Sequence, residues 1–582
     1  MDDARRHGRS RYSRRRPADQ SRRGRGMTLS PPPSSVDAPP PDRRDGADVA
    51  HYPVVIVGGG PTGLALACLL SRYGTRALLV ERNAATVQEP RAVSIDDESL
   101  RTMQAAGVID DVLPDIVAGY GSEYLSPRGR PFLKVEPTAQ PYGYARRNAF
   151  RQPLFEATLR NCLARSPSVD SLFGTILDGF DQDDRGVTLT LADADGRRRT
   201  VRCDYLVAAD GGRSPIRTTL GLELAGETFP ERWLIVDLER SPAPSRDTLV
   251  FCNARRPCIA LPGPNATRRF EFKLLPGEQP GDMVDDAVVR RLIRSHGADA
   301  NSVVVRRVVY TFHARLAPTW RAGRVFLAGD ACHLTPPFAG QGMNSCIRDA
   351  HNLAWKLAWV VGGRLSPAIL DSYEPERRDH VAEMIRLALR MGRIMGPSSR
   401  RKGLMIRLMF RSLGLWAPAR DYFAQMKYKP KPRFAKGLVL ADGTPARTTM
   451  VGRLLPQPIV TPRNGAPTPL DELLGDGFAL VGVDLNPAVL REVARSPLVV
   501  RLEPRLVSIG NDRLPPSVPC VTAAHDPLAT LRAAGAAGRI LLIRPDRYVL
   551  TTFAPDELLT VAPHLLKVLG SLVPASSTAS TI

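Results

Sequence analysis

The chain contains no run of about eighteen apolar residues, the length a membrane-spanning helix needs. Its nearest approach, "LAWKLAWVVGG", is short and broken by Lys356. It also lacks any CxxC pair. Its eight cysteines (Cys68, Cys162, Cys203, Cys252, Cys258, Cys332, Cys346 and Cys520) are dispersed. That pattern suits free thiols in a reducing cytoplasm better than a disulfide scaffold or a structural metal site. Lysine is scarce, nine in 582 residues, and no aromatics interleave with the arginine clusters, so the formal charge of +21 does not make a nucleic-acid-binding strip. A third of that charge sits in residues 1–26, where ten Arg outweigh Asp2, Asp3 and Asp19. No apolar stretch follows this arginine run, so an export signal is not expected, and Met27 is an alternative start.

What is present is enough chain for two or three domains, with 43% hydrophobic and 24% charged residues, the balance of a globular protein. Residues 1–50, Arg-rich and then Pro-rich, cannot bury enough surface to order themselves. From His51 onward "PVVIVGGGPTGLALACLLSRYGTRALLVERN" reads as strand, glycine turn, helix and strand, one βαβ unit of a parallel sheet. "GVTLTLADADGRRRTVRCDYLVAADG" reads as a hairpin ending in a buried strand. Short strand patterns between 230 and 275 ("WLIVDLE", "TLVFCN", "CIALPG", "RRFEFKLL") predict an inserted antiparallel sheet. A helical block follows from about 346 to 395. "GPSSRRKG" interrupts it, a helical connector runs to about 428, and "KYKPKPR" is a linker. From about 440 another α/β pattern appears ("FALVGVD", "RILLIRPDRYVL"), predicting a separate small domain.

The most specific motif is Gly58-x-Gly60-x-x-Gly63 between strand and helix, with Glu81 at the end of the next strand. The first glycine permits a tight turn, the second a close approach of a pyrophosphate, and the third close packing of helix on sheet. Glu81 stands where a ribose hydroxyl is accepted. Two further strand ends carry a carboxylate beside glycine: Asp210-Gly211 in "DYLVAADGGRSPIR" and Gly329-Asp330 in "GRVFLAGDACHLTPPFAGQGMNS". Together they predict one crevice at the carboxyl edge of a parallel sheet, with dinucleotide binding as its function. Cys332-His333 lies inside the third motif. Adjacent side chains on an extended segment point apart and no further ligand stands at suitable spacing, so a metal site is not expected.

The three motifs resemble those of the flavin-dependent aromatic hydroxylases, single-component flavoprotein monooxygenases. More narrowly, "EPRAVSIDDESLRTMQAAGVIDDVLP", "YARRNAFRQPLFE", "RRFEFKLLPGE" and "RPDRYV" resemble the branch acting on 3-(3-hydroxyphenyl)propionate and 3-hydroxycinnamate. The likeness spans residues 52 to 560. It implies an α/β fold: a Rossmann-like FAD-binding domain (51–229 and 301–395), an inserted antiparallel substrate sheet (230–300) and a connector (396–435). A thioredoxin-like C-terminal domain (436–572) follows, then a disordered tail (573–582). Because that domain lacks CxxC, packing or dimerisation is its expected role.

The resemblance further implies that Gly58, Gly60 and Gly63, with Pro61 beside them, hold the FAD pyrophosphate, and that Glu81 and Arg82 serve the adenosine end. Arg91 and Gln152 would contact the cofactor, Asp210 the motif shared with the nicotinamide donor, and Arg217 the nicotinamide itself. Gly329 and Asp330 would bond the ribityl or pyrophosphate region, with Pro336, Gly340, Gly342, Met343 and Asn344 beside the isoalloxazine ring. NADH or NADPH would be the donor and molecular oxygen the co-substrate. A phenolic acid would be hydroxylated beside its existing hydroxyl in a soluble cytoplasmic enzyme, with a homodimer as the candidate assembly. His313 and Tyr310 are the candidates to handle the phenolic proton, and Arg256, Arg268, Arg269 and Arg315 to hold the substrate carboxylate.

The chain departs from the family where Phe338-Ala339 precedes Gly340-Gln341-Gly342, since glycine is common at 339 and alanine would be strained there at positive φ. Competing expectations are a hydroxylase of another phenol, polyketide or antibiotic, a two-electron flavin dehydrogenase, and a non-catalytic flavoprotein interaction module. No WxWxIP-like stretch points to a halogenase.

Overall fold

The computed structural model describes residues 49–88, 91–241, 245–298, 301–496 and 502–570. The basic leader, up to residue 48, and the 573–582 tail lie outside them. Strand Ala50–Val57 buries its last four residues, all β-branched, because a parallel strand covered on both faces has no solvent side. Helix Pro61–Arg72 starts with proline at its first position, where the missing N–H removes nothing the helix uses. Ala77–Glu81 returns fully buried. The parallel sheet runs in the spatial order Val325–Leu327, Arg198–Ala208, Ala50–Val57, Ala77–Glu81 and Val169–Phe173. Three neighbouring strands therefore end side by side, at Leu327, Ala208 and Val57. The turns that follow them carry Asp330, Asp210 and Gly58, so the three distant motifs meet at one sheet edge.

The second sheet is antiparallel for most of its width: Val303–Leu316, Ala225–Glu239, Arg268–Lys273, Cys258–Pro262 and Thr248–Phe251, then Ser122–Leu125 and Pro131–Val135. It is wider than the expected 230–300 insertion. Val303–Leu316, assigned from sequence to the second FAD-binding part, is instead the long partner of Ala225–Glu239. Ser122–Leu125 joins by parallel pairing with Thr248–Phe251, more than 120 residues away, a partnership that no local pattern encodes. One face packs Leu234, Val236, Phe270 and Phe272 onto helix Asp286–Arg294 through Val289 and Ile293. The other face looks towards the sheet edge just described.

The expected helical block is two helices, Gly342–Val361 and Tyr373–Met395. The connector forms helices Arg400–Gly414 and Ala417–Ala424, the first seated against strand Pro131–Val135, where Phe410 meets Phe132. Among the described residues no helix is long and apolar enough to cross a membrane.

In the C-terminal domain Thr522–His525, Arg505–Gly510 and Ala479–Val483 pair in parallel, and Ile540–Ile543 and Val549–Phe553 complete the sheet in antiparallel fashion. An ionic cluster joins it to the helices. Arg544 donates to Glu376 at 2.7 and 2.8 Å and to Asp546 at 2.7 and 3.0 Å, and Lys356 Nζ donates to Glu376 at 2.7 Å, all of these side chains being buried. Arg101 makes a paired contact with Asp471 at 2.6 and 2.8 Å.

Candidate active site

The three glycines act by three different constraints. Gly58 has φ +113°, and a Cβ there would stand 2.2 Å from the Ala209 carbonyl oxygen. A Cβ on Gly63 would stand 1.9 Å from the Gly58 carbonyl oxygen, so helix and turn touch. A Cβ on Gly60 would meet nothing within 4 Å. It would project into a cavity, over the N-terminus of a twelve-residue helix that no side chain caps. That is the cradle an anionic pyrophosphate requires. Glu81 is fixed beside it: Oε2 accepts from Gly59 N at 2.6 Å and Oε1 from Asn83 N at 2.8 Å.

At the second strand end, Asp210 Oδ2 accepts from Ile216 N at 3.3 Å, while Oδ1 is buried with no partner among the described residues. Burial pushes its pKa up, against the pull of Ser214. Arg217 donates to the Ala331 carbonyl at 3.0 Å and to the Gly212 carbonyl at 3.0 Å, tying the second turn to the third. In this structure it is a clamp between motifs and not part of the cavity wall. Asp330 does line the cavity and accepts from Cys346 Sγ at 3.5 Å. Gly329, at φ +64°, is required because a Cβ would approach Thr62 Oγ1 to 2.3 Å.

Beyond it, Pro336 leads into a 3-10 turn, Pro337–Ala339, closed by Gly340 at φ +61°. Ala339 is not at positive φ, so the strain considered from sequence does not arise; Gly340 carries the left-handed conformation. Phe338 is wedged between Trp233 and Phe312, with ring centroids 5.5 and 5.6 Å away. Asn344 accepts from Asp96 N at 2.9 Å and donates to the Gly340 carbonyl at 2.7 Å, bracing the turn from behind. Below it, His333 Nε2 meets Asp349 Oδ2 at 2.6 Å, and Asp349 Oδ1 accepts from Arg377 at 2.9 Å, all buried. Cys332 stands nearby with its Sγ 3.2 Å from the Gly329 carbonyl. Because Asp349 already bridges His333 and Arg377, the trio is a buried brace under the turn. Cys332→Ala should therefore leave turnover within about twofold of the parent and lower stability by about 1 kcal/mol, as read by steady-state kinetics and urea unfolding.

One cavity of about 610 Å³ runs from the glycine turn to the second sheet. Its wall includes Gly58, Gly60, Pro61, Glu81, Arg82, Arg91, Gln152, Asp210, Asp330, Gly340, Gly342 and Met343. Gln152 Oε1 accepts from Arg91 N at 2.9 Å and Ala92 N at 2.7 Å, which fixes that side of the wall. Gly63, Arg217, Gly329, Pro336 and Asn344 support the wall from outside it. His313 and Tyr310 are not in it: His313 Nδ1 contacts Thr228 Oγ1 at 3.0 Å, and the Tyr310 hydroxyl accepts from Arg306.

Of the four arginines considered for a substrate carboxylate, only Arg269 reaches the cavity, and Asp237 neutralises it at 2.7 and 3.1 Å. Arg256 pairs with Glu278, Arg268 donates to the carbonyls of Gly297 and His296, and Arg315 donates to Thr228. Sequence reasoning missed Arg147 and Glu271, both in the wall. Arg147 was visible only within "YARRNAF". Glu271 carried a usable signal in "RRFEFK", where charged residues alternate with two phenylalanines on a strand too central to be half-solvated.

Residues 51–388 match the FAD binding domain family, and residues 452–568 match the HcaD C-terminal domain. The chain belongs to the FAD-dependent aromatic hydroxylases. It is 38% identical over 520 residues to a 3-(3-hydroxy-phenyl)propionate/3-hydroxycinnamic acid hydroxylase of Klebsiella pneumoniae, covering 87% of this chain and 92% of that one. The protein of the same name from Escherichia coli K12 is 37% identical over 517 residues, with the same coverage. Aklavinone-11 hydroxylase, solved with FAD and aklavinone, superposes with a TM-score of 0.72 at 26% identity, covering 90% of this chain and 100% of that one. The flavin-dependent monooxygenase PieE, solved with FAD and substrate, has a TM-score of 0.74 at 24% identity, covering 89% and 99%.

The hydroxylase is a flavoprotein monooxygenase using FAD, NAD(P)H and oxygen. Its residues fit the flavin on their own geometry: an open Gly60, a pinned Glu81 and the Asp210 carboxylate, one of whose oxygens has no partner among the described residues, all line one cavity.

Proposed function

We propose that this hydroxylase adds a second hydroxyl beside the first on a phenolic acid of the 3-(3-hydroxyphenyl)propionate and 3-hydroxycinnamate class. The observation that carries the reading is Arg147. Its guanidinium lines the substrate end of the cavity, donates to Ser122 Oγ, lies 4.4 Å from the Tyr120 ring centroid and faces Tyr124 and Tyr428. No carboxylate among the described residues pairs with it. A half-buried cation left without an acid is matched to one arriving on the ligand. The names of the relatives point the same way.

When bound, reduced FAD with oxygen supplies the inserted oxygen atom. The protein's part is to hold and shield the ring. Arg147 anchors the carboxylate, Val250, Ile259 and Leu261 form an apolar wall for the aromatic ring, and Met391 and Met395 close the opposite side against water. Those flexible methionines also admit wider phenols, which supports testing polyketide-sized rings beside the acid. Buried free cysteines and a nicotinamide donor suit a cytoplasmic enzyme.

The experiment is NADH and NADPH oxidation by the yellow protein with 3-(3-hydroxyphenyl)propionate, its carboxamide and 3-ethylphenol, with catechol formation followed. Arg147→Met should raise KM for the acid about 10- to 100-fold, the loss of a charge-assisted contact, and change KM for 3-ethylphenol by less than about threefold. Equal wild-type KM values for acid and carboxamide would defeat the reading.

A further inference from the structure

Resting on that reading, we propose that the Glu271 carboxylate accepts the phenolic proton of the substrate. Strand Arg268–Lys273 alternates, with Phe270 and Phe272 in the core beneath it and Arg269, Glu271 and Lys273 on the cavity face. Glu271 lies opposite Ile259 on one neighbouring strand and Ile235 on the other, and the same cross-strand row continues through Val250 to Tyr124. It is thus a single carboxylate in an apolar row. Its exposure is 6%, and no described residue donates a hydrogen bond to it. A buried carboxylate is normally paired, as Asp237 is with Arg269 on the adjoining row. Glu271 has instead a free face towards the cavity.

The charged surroundings fit a proton acceptor. Burial pushes the Glu271 carboxyl up to about 7; Arg269 opposes this and Asp237 adds to it. Arg269 is held by Asp237 and by the Arg91 carbonyl at 2.8 Å, Arg306 stands 3.6 Å from Asp237, and Lys273 pairs with Glu231. The rest of the wall contributes Leu387, Met391 and Met395 from the helix, Pro337, Phe338 and Ala339 from the turn, and Met426, Tyr428 and Lys429 after the connector helices, with Lys429 already paired to Asp96 and Glu98. Arg147, at Ser122 on the edge-side strand, is three strand spacings from Glu271, about 14 Å at roughly 4.8 Å per strand. One aromatic ring with a short acid arm spans that gap once the two side chains reach inward. Like charge keeps the substrate carboxylate away from Glu271, so the hydroxyl faces it.

In the step, the phenol O–H bond breaks, its proton forms an O–H bond with Glu271, and the electron pair stays on the phenolate oxygen. That raises electron density at the ring carbon beside it, where oxygen enters. No electrons leave the ring or the carboxyl group, and the proton passes to solvent before the next turnover.

The test compares wild type, Glu271→Gln and Glu271→Asp as holoenzymes of equal flavin content. With 3-(3-hydroxyphenyl)propionate, wild-type kcat should rise with pH through a midpoint near 7. Glu271→Gln should lose that limb and about 10²- to 10⁴-fold in kcat, and Glu271→Asp should keep the limb. Independently of turnover, the ultraviolet phenolate band of substrate bound anaerobically without NADH should grow through the same midpoint in wild type and be absent in Glu271→Gln. A limb and band that persist in Glu271→Gln overturn the proposal. If the acid fails to bind wild type but 3-ethylphenol is hydroxylated with the same Glu271-dependent limb, the carboxylate reading falls and Glu271 stands. If no phenol is hydroxylated by wild type, both fall.

Discussion

Gly60→Val should give a folded but colourless protein, whereas Gly63→Val should give little folded protein at all. The two glycines are three residues apart in one motif, yet their missing side chains face opposite situations. At Gly60 the Cβ direction is open, so valine meets no protein atom and the backbone already tolerates it. It would fill the place proposed for the pyrophosphate, and we expect FAD affinity to fall roughly a hundredfold or more, about 2.7 kcal/mol. At Gly63 the Cβ would stand 1.9 Å from a backbone oxygen, which cannot step aside without moving the turn or the helix. Overpacking of this kind costs about 1–3 kcal/mol or more, and valine adds two further methyls. Flavin absorbance per mole of protein after gel filtration, together with Tm, separates the two outcomes. A flavin-replete Gly60→Val protein would show that the turn is not the pyrophosphate site.

Arg544→Met should destabilise the fold by about 3–5 kcal/mol, the usual consequence of stripping one partner from a buried ionic cluster. Glu376 would keep Lys356 as its one cation, with Asn352 and the Leu438 N–H as neutral donors, and Asp546 would lose both of its contacts to Arg544. The loss should depend on pH. Burial pushes the Glu376 carboxyl up, but Arg544 and Lys356 together outweigh it and hold it at about 2. A depressed carboxyl contributes stability that is complete above its ordinary value of about 4.5 and disappears as pH falls through 2. Removing Arg544 takes away the larger attraction, so acid unfolding should begin at higher pH in the variant. Lys356 shows the opposite balance, pulled down to about 8 because burial and repulsion from Arg544 exceed its attraction to Glu376. Arg544 is therefore the stronger of the two counter-ions, and Lys356→Met should be the milder change. Urea unfolding at neutral and acid pH measures both.

The glycine-turn end of the cavity was readable before folding because its constraints are local. A glycine turn between a strand and a helix, and an aspartate after a buried strand, are each encoded within about ten residues. Gly58, Gly60, Glu81, Asp210 and Asp330 accordingly meet in one cavity. The substrate end was not readable because it is assembled across the chain. Arg147 becomes a cavity cation only when Ser122–Leu125 pairs with Thr248–Phe251, and Glu271 becomes buried only when strands close on both sides of it. Charged residues in a strand pattern suggest a solvated face until the partner layer is known. For the same reason His313 and Tyr310, plausible by residue type, lie outside the cavity wall, and Arg256 and Arg268 are already satisfied.

The pairing of Ala225–Glu239 with Val303–Leu316 constrains how this protein can be recombined with its relatives. The two strands, fifteen and fourteen residues long, pair along nearly their whole length, with register shifts between Thr228 and Arg232 and between Asp237 and Leu238. A chimaera cut inside either strand would join halves whose cross-strand partners, such as Trp233 and Tyr310, evolved apart. Breakpoints that keep this ladder with one parent, exchanging instead the edge strands and the connector helices, would transplant substrate preference while leaving the flavin cradle intact.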